Sequence, residues 1–245
     1  MNELFSRTAL LFGEAAMERL ALSRVAVFGL GGVGSYAVEA LARSGVGALE
    51  LIDSDRVSLS NRNRQLYALE STLGQYKVDV AARRVLDINP ACVVTRRPVF
   101  FLPETREQFD FTVYDYVVDA VDTVTAKLTL IEAARDAHIP LISSMGTGNK
   151  CDPSSLRIGD LFDTDTDPLA RVMRRECRRR GIDRLTVVYS REEPLPPQGS
   201  PGEPLPEGRR TIPGSTAFVP AAAGLLLASH VVRELTNPVR VKKRL

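Results

Sequence analysis

The three cysteines of this 245-residue sequence, Cys92, Cys151 and Cys177, form no CxxC pair, so neither a disulfide framework nor a zinc knuckle is indicated. Unpaired thiols suit a reducing, cytoplasmic setting. No apolar run is long enough to span a membrane. The best, 217–232 (AFVPAAAGLLLASHVV), falls short of the ~20 residues required and contains Pro220 and His230. It reads as a buried helix starting just after Phe218, with no stable membrane insertion. Residues 1–7 carry Glu3 and lack the basic-then-apolar order of a signal peptide. No internal repeat is visible. The net charge is only +2, so any attraction for a polyanion must come from a local cluster. An apolar fraction of 44% with 25% charged residues is ordinary for a globular chain with one substantial core.

What is present alternates between two periodicities. Residues 24–29 (RVAVFG) are apolar, β-branched and end in glycine, which predicts a buried strand. Residues 33–44 have helical spacing, with Val38, Leu41 and Ala42 on one side. A second strand is expected at 49–53 (LELID). An amphipathic helix follows at 77–89, with Val80, Val85 and Ile88 apolar and Pro90 stopping it. Strands at 93–101, 116–121 and 139–143 and a helix at 128–138 continue the rhythm. Such alternation predicts an α/β, doubly wound, mainly parallel sheet with right-handed crossovers and a Rossmann-like core at 24–150. The segment 151–245 departs from it: acidic at 160–167, a strongly basic helix at 171–184, then a strand at 185–189. The proline-rich stretch 193–208 cannot hold regular structure and reads as a mobile surface loop. This extension should complete the sheet and cover one face, leaving 1–245 a single domain, with the apolar C-terminal helix as one candidate interface.

Gly29, Leu30, Gly31, Gly32, Val33 and Gly34 follow a strand and open a helix, the context the nucleotide fingerprint requires. The glycines permit a tight turn and close backbone approach, and the helix N-terminus offers free amides to an anion. Asp53 ends the second strand, placed to accept hydrogen bonds from ribose hydroxyls. This pattern alone says nucleotide without saying which. The loop 55–65 (DRVSLSNRNRQ) is rich in polar groups, among them Asp55, Asn61, Arg62, Arg64 and Gln65, at the carboxyl end of a strand. Lys77 lies just inside the next helix. An arginine and a lysine near one phosphate-binding turn can neutralise a triphosphate and a departing pyrophosphate. The bland alternatives are a solvated loop for Arg62 and Arg64 and a solvated helix face for Lys77. Asp119 and Asp122 (DAVD) end the fourth strand; a carboxylate there can hold magnesium together with substrate phosphates. For Asp122 the competing role is capping a helix over 123–137, and Asp119 reads as a packing or orienting group.

Together GLGGVG, LIDSDRVSLSNRNRQ, GQYKV, INP and DAVD resemble the ubiquitin-activating-enzyme-like superfamily of ThiF and MoeB type, whose bacterial members adenylate carboxylates. The resemblance implies an ATP site formed by Gly29, Gly31, Gly32, Gly34, Asp53, Asp55, Asn61, Arg64, Gln65 and Lys77. In it Asp53 holds ribose and Asn61, Arg64 and Lys77 attend the phosphates. It also implies that Arg64, Lys77 and Asp122 are catalytic and that Asp122 coordinates magnesium. In a homodimer, Arg7 of FSRTALLFGE would reach the partner's ATP. Further segments, FSRTALLFGEAAMERL, ISSMGTGNKCDP, DPLARVMRRECRRRGI, VVYSREEP and PGSTAFVPAAAGLLLA, look like the tRNA threonylcarbamoyladenosine dehydratase branch. That resemblance implies adenylation of the threonyl carboxylate and ring closure beside the anticodon, with release of AMP and pyrophosphate. A monovalent cation and a sulfur-relay or cysteine desulfurase partner are compatible with it.

In the basic helix, Arg171, Arg174, Arg175 and Arg178 fall at i, i+3, i+4 and i+7 and share a face. Arg179, Arg180 and Arg184 widen it, and Glu176 and Asp183 barely offset it. Such a face attracts an RNA backbone without base contacts; the alternative is a solvated helix paired with Asp163, Asp165 and Asp167. Arg240, Lys242, Lys243 and Arg244 can extend the patch. No aromatic platform for RNA bases is apparent. Cys177, among the arginines, is a candidate for a depressed thiol pKa and a transient thioester. Three rival functions are open. Activation of a ubiquitin-like sulfur carrier shares the adenylation site, although the paired CxxC ligands frequent there are missing. An NAD-dependent oxidoreductase accounts for the glycines and Asp53 but not for Asn61, Arg64 and Lys77. A nucleotide sensor would bind ATP without turnover.

Overall fold

The computed structural model describes residues 3–199 and 213–237. One seven-stranded sheet organises it: β1 (Arg24–Phe28), β2 (Ala48–Ile52), β3 (Val93–Arg97), β4 (Tyr116–Asp119), β5 (Leu141–Ser144), β6 (Leu156–Asp160) and β7 (Thr186–Ser190), in the order β3-β2-β1-β4-β5-β7-β6. All neighbours are parallel except β6, which runs antiparallel to β7 at one end. The α/β doubly wound reading therefore holds. The strand β6 has no counterpart in the sequence reading, because LRIGD offers too short an alternation and only Leu156 is buried.

Side chains alternate across β1 as the pleat demands. Val25 and Val27 join the core formed with α2 (Glu14–Leu22), α3 (Gly34–Arg43), α4 (Lys77–Ile88) and α7 (Val219–Thr236). Ala26 and Phe28 face the other side, with α5 (Val124–Asp136) and the rings of Phe101, Phe109, Phe111 and Tyr114. A third cluster packs α6 (Pro168–Arg179) through Met173 and Cys177 onto Leu128 and Ile131 of α5. Burying each large apolar side chain fully contributes about 1.5–3 kcal/mol. The helix α7 is the expected buried C-terminal helix, starting just after Phe218. It lies so close to α3 that a Cβ on Gly224 would stand 2.2 Å from the Val33 carbonyl oxygen. Its apolar stripe is consumed inside the fold. The strongly exposed leucines lie instead at Leu10 of α1 (Ser6–Phe12), at neighbouring Leu11, and at Leu22 of α2, each more than 80% exposed. No helix among the described residues is long and apolar enough to cross a membrane.

Several boundaries shift for local reasons. Pro98 follows β3, which ends at Arg97 rather than Phe101, freeing Phe101 to enter the aromatic cluster. β4 stops at Asp119, because its carboxylate accepts a hydrogen bond from Val121 N and turns the chain. The basic helix is α6 and ends at Arg179, followed by Gly181 at φ +66°. It begins at Pro168 because Asp167 Oδ1 accepts from Ala170 N at 2.9 Å. Residues 193–199 have no regular structure; the rest of the proline-rich stretch, 200–208, and the basic tail at 240–244 lie outside the described residues.

Candidate functional site

A cleft of about 460 Å³ opens along the carboxyl edge of the sheet, lined by the segments that follow β3, β2, β1, β4 and β5. Ligands bind at this edge in open α/β sheets. The glycines that build its centre divide by role. Gly29 adopts φ +87° and sits so close to the next crossover that a Cβ would lie 2.6 Å from the Ala120 carbonyl oxygen. Gly34 does not line the cleft, and its Cβ would fall 1.8 Å from the Gly29 carbonyl oxygen. Its place in the site is therefore to seat α3 against the turn. A Cβ on Gly31 would meet nothing nearer than 3.8 Å, so the turn leaves open room in the cleft there. Gly32 also lines the cleft, beneath Pro220 and Arg64.

Asp53, at the end of β2, grips the turn: Oδ2 accepts from Leu30 N at 2.6 Å and Oδ1 from Asp55 N at 2.8 Å. Burial pushes its pKa above the ordinary carboxylate value, opposed by Lys77 and by these backbone donors. Lys77 opens α4 and is 4% exposed, which overturns the solvated-face reading. Its Nζ lies 2.7 Å from Asp55 Oδ2 and 3.8 Å from Asp53 Oδ2. Asn61 Oδ1 accepts from Ser58 N, and Arg64 Nη1 donates to the Ser60 carbonyl and Asn63 Oδ1. Arg64, Asn61 and the buried Gln65 all line the cleft. Arg62 turns away to Glu70, at 2.6 Å, and keeps the solvated-loop role. Asp122 is exposed and lines the cleft, while the N-cap position of α5 falls to Thr123. The capping role open to Asp122 is thus not the one observed. Among the described residues no group of three His, Cys, Asp or Glu side chains is arranged to hold a metal.

The partners that meet behind the cleft could not be read from the sequence. Asp119 and Lys127 form a fully buried ion pair at 3.1 Å behind the cleft, joined by Ser143. A lysine within the apolar run of α5 is the available signal. Lys150, also buried, donates to Asp167 Oδ2 at 2.6 Å and to the Gly146 carbonyl at 2.7 Å, tying the cleft wall to the cap of α6. The wall on that side consists of Met145, Gly146, Thr147, Gly148 and Leu169, faced by Pro213, Gly214 and Ser215. Asn149, at φ +59°, holds the last segment by accepting from Gly214 N at 2.6 Å.

The cleft does not gather every residue singled out. Arg7 is exposed on α1 and does not line the cleft of its own chain. On α6, Glu176 pairs with Arg175, Arg179 and Arg180, so its single negative charge is shared among three guanidinium groups and the cluster stays strongly basic. Arg178 lies over the Phe162 ring and Arg174 donates to Thr164 Oγ1; Arg171 is exposed. Cys177 is fully buried, and burial pushes its thiol up to about 11. That is the reverse of the depressed pKa its arginine neighbours suggest: removal from water outweighs the nearby guanidinium groups.

The comparisons with known proteins agree with this geometry. The ThiF family profile matches residues 5–245. A tRNA threonylcarbamoyladenosine dehydratase of Bacillus subtilis is 45% identical over 250 residues, covering 99% of this chain and 98% of the relative. The enzyme of the same name from Escherichia coli is 36% identical over 254 residues, covering 96% and 94%. The crystal structure of the E. coli tRNA N6-threonylcarbamoyladenosine dehydratase in complex with ATP superposes with a TM-score of 0.86, at 35% identity, over 98% of this chain and 95% of that one.

Proposed function

Since this chain belongs to the ThiF family, we propose from that premise that it is an ATP-dependent tRNA threonylcarbamoyladenosine dehydratase. One observation carries the adenylation step at the site: a buried lysine turned into a glycine-floored cleft, held there by an exposed carboxylate and accompanied by Arg64 and Asp122; the near full-length likeness to the dehydratases supports the tRNA substrate. A dinucleotide oxidoreductase has no use for that set; an enzyme that expels pyrophosphate does.

ATP fits the cleft with its ribose at Asp53, the end of β2. The adenine then lies toward the segment after β3, and the phosphates cross the turn at Gly31 and Gly32 toward Arg64 and Lys77. The substrate carboxylate enters from the β4 and β5 side. Its oxygen attacks the α-phosphorus, pyrophosphate leaves, and an acyl adenylate forms. The carbamoyl oxygen of the same group then attacks the acyl carbon and AMP departs, closing the ring with net loss of one water. A carboxylate is a poor electrophile and AMP a good leaving group, so the protein's task is positioning and charge neutralisation. The nucleophile is already tethered, and no cysteine is required. Lys77 and Arg64 stabilise the departing phosphate charge. Asp122 is a suitable magnesium ligand, because that ion takes one or two carboxylates and completes its shell with phosphate oxygens and water; when bound it would neutralise phosphate charge. A monovalent cation is compatible with the same cleft.

The chain works as a single adenylating domain in which 151–245 presents the RNA-facing surface. There Arg171, Arg174 and Arg178 lead in meeting tRNA phosphates, with Arg175 and Arg179 available once Glu176 yields them. Two copies pair so that Arg7 of each reaches the other's nucleotide, and the exposed leucines of α1 and α2 support that arrangement. The setting is cytoplasmic, where a sulfur-relay or cysteine desulfurase partner can join. The decisive experiment incubates the protein with ATP, magnesium and tRNA bearing threonylcarbamoyladenosine, followed by mass spectrometry of the nucleosides. Loss of one water with AMP formed, and neither in Asp122→Ala, is expected. An unchanged nucleoside while ATP binds would overturn the reading and favour adenylation of a sulfur-carrier protein's C-terminus.

A further inference from the structure

A buried ammonium is tolerable only when its protons find acceptors. Lys127 has no exposed side-chain surface. Its Nζ donates to Asp119 Oδ2 at 3.1 Å, Ser143 Oγ at 3.2 Å and the Ser144 carbonyl at 2.7 Å. Ser143 Oγ donates in turn to the same carboxylate at 2.6 Å. The other oxygen of Asp119 accepts from Val121 N at 3.2 Å. The cation thus bonds to the last residues of β4 and β5. Those strands pair in register only up to Asp119 and Ser143; beyond that rung the chains diverge into two walls of the cleft, one carrying Asp122 and the other Gly146.

Lys127 does not line the cleft, so it cannot touch nucleotide or substrate. A buried pair is also a poor device for stability alone, since apolar side chains of similar volume often serve as well. Past that rung each wall is still tied to its other neighbour, Ala120 N donating to the Phe28 carbonyl at 2.8 Å and Met145 N to the Val188 carbonyl at 2.7 Å, so what the pair supplies is a fixed separation between the two walls where the β4–β5 ladder has ended. We propose that Lys127 is a positioning residue: it holds the Asp122 turn and the 144–146 wall in mutual register and thereby sets the approach of the incoming carboxylate to the α-phosphorus. Its catalytic consequence rests on the adenylation reading above; its geometric role does not.

The test uses Lys127→Met, Lys127→Arg and the neutral pair Asp119→Asn with Lys127→Met, which avoids stranding a buried charge. By hydrogen–deuterium exchange on the ATP-bound protein, segments 119–123 and 143–147 should exchange about tenfold faster in the neutral pair, while β1 and β2 stay protected. On modified tRNA, kcat should fall about 10²-fold with the KM for ATP nearly unchanged, as expected for a small misplacement of reacting groups. Lys127→Arg should recover part of that loss. Unchanged exchange in both walls overturns the proposal, as does faster exchange with undiminished kcat. A wild-type protein that binds ATP but leaves the tRNA unaltered overturns the dehydratase reading instead, and the exchange result still decides the role of Lys127.

Discussion

At the mouth of the cleft, Lys77 pairs with Asp55, whose side chain is 63% exposed. Behind it, Lys127 and Lys150 pair with Asp119 and Asp167, both fully buried. All three lysines are themselves buried, so burial does not distinguish them; the accessibility of the hydrogen-bonded partner does, since buried Asp53 stands off from Lys77 at 3.8 Å. An exposed carboxylate can return to water when a phosphate takes its place, which makes Lys77 available for exchange. A sealed carboxylate has nowhere to go, and its lysine is committed to the architecture. The same residue type is a working group in one layer and a fixture in the next.

The comparison breaks most visibly at Lys150. Lys150→Met strands the Asp167 carboxylate, and urea unfolding should show a loss of about 3–5 kcal/mol, largely recovered by adding Asp167→Asn. Recovery that fails would mean the charges matter beyond mutual compensation. Lys77→Met should do the opposite: AMP release slows about 10²–10³-fold while calorimetric melting moves little. The glycines repeat the contrast on a smaller scale. Gly34→Ala should destabilise by about 1–3 kcal/mol, the cost of forcing a methyl into packed backbone. Gly31→Ala should leave melting unchanged but weaken ATP binding about tenfold, roughly 1.4 kcal/mol by affinity arithmetic. The mildest test is thiol labelling at pH 8. Cys151, which is exposed, should react readily. Cys92 and Cys177, each pushed up to about 11 by burial, should stay unmodified until the protein unfolds. For these two the thiolate fraction rises with pH, so labelling that grows only toward alkaline pH sharpens the point.

The mouth of the cleft is legible in the sequence because its residues are contiguous with strand ends: Gly29, Asp53 and Asp122 each follow or end a recognisable apolar run, and the sheet then brings them together. The layer behind is not. Asp119 reads only as an orienting group, since its partners Lys127 and Ser143 are 8 and 24 residues away and no periodicity links them. Lys150 and Asp167 are 17 residues apart with β6 between them, and no periodicity links them. β6 escapes notice because only Leu156 of its five residues is buried, so no apolar face repeats along it. The basic helix reads as running past its true end because arginines beyond Arg179 mask the stop at Gly181. Helical spacing does identify the arginine face of α6, but spacing cannot reveal that Glu176 occupies three of the arginines around it.

The margins of the sheet have a consequence for how copies of this chain can meet. β3 on one side carries Arg96 and Arg97, and β6 on the other carries Arg157 and Asp160. A foreign strand seeking to zip onto either margin would meet charge instead of an apolar ribbon, the usual protection of an open edge against aggregation. With lateral growth of the sheet discouraged at both ends, the exposed leucines of α1 and α2, Leu10, Leu11 and Leu22, are apolar surface left open to contact away from the strands.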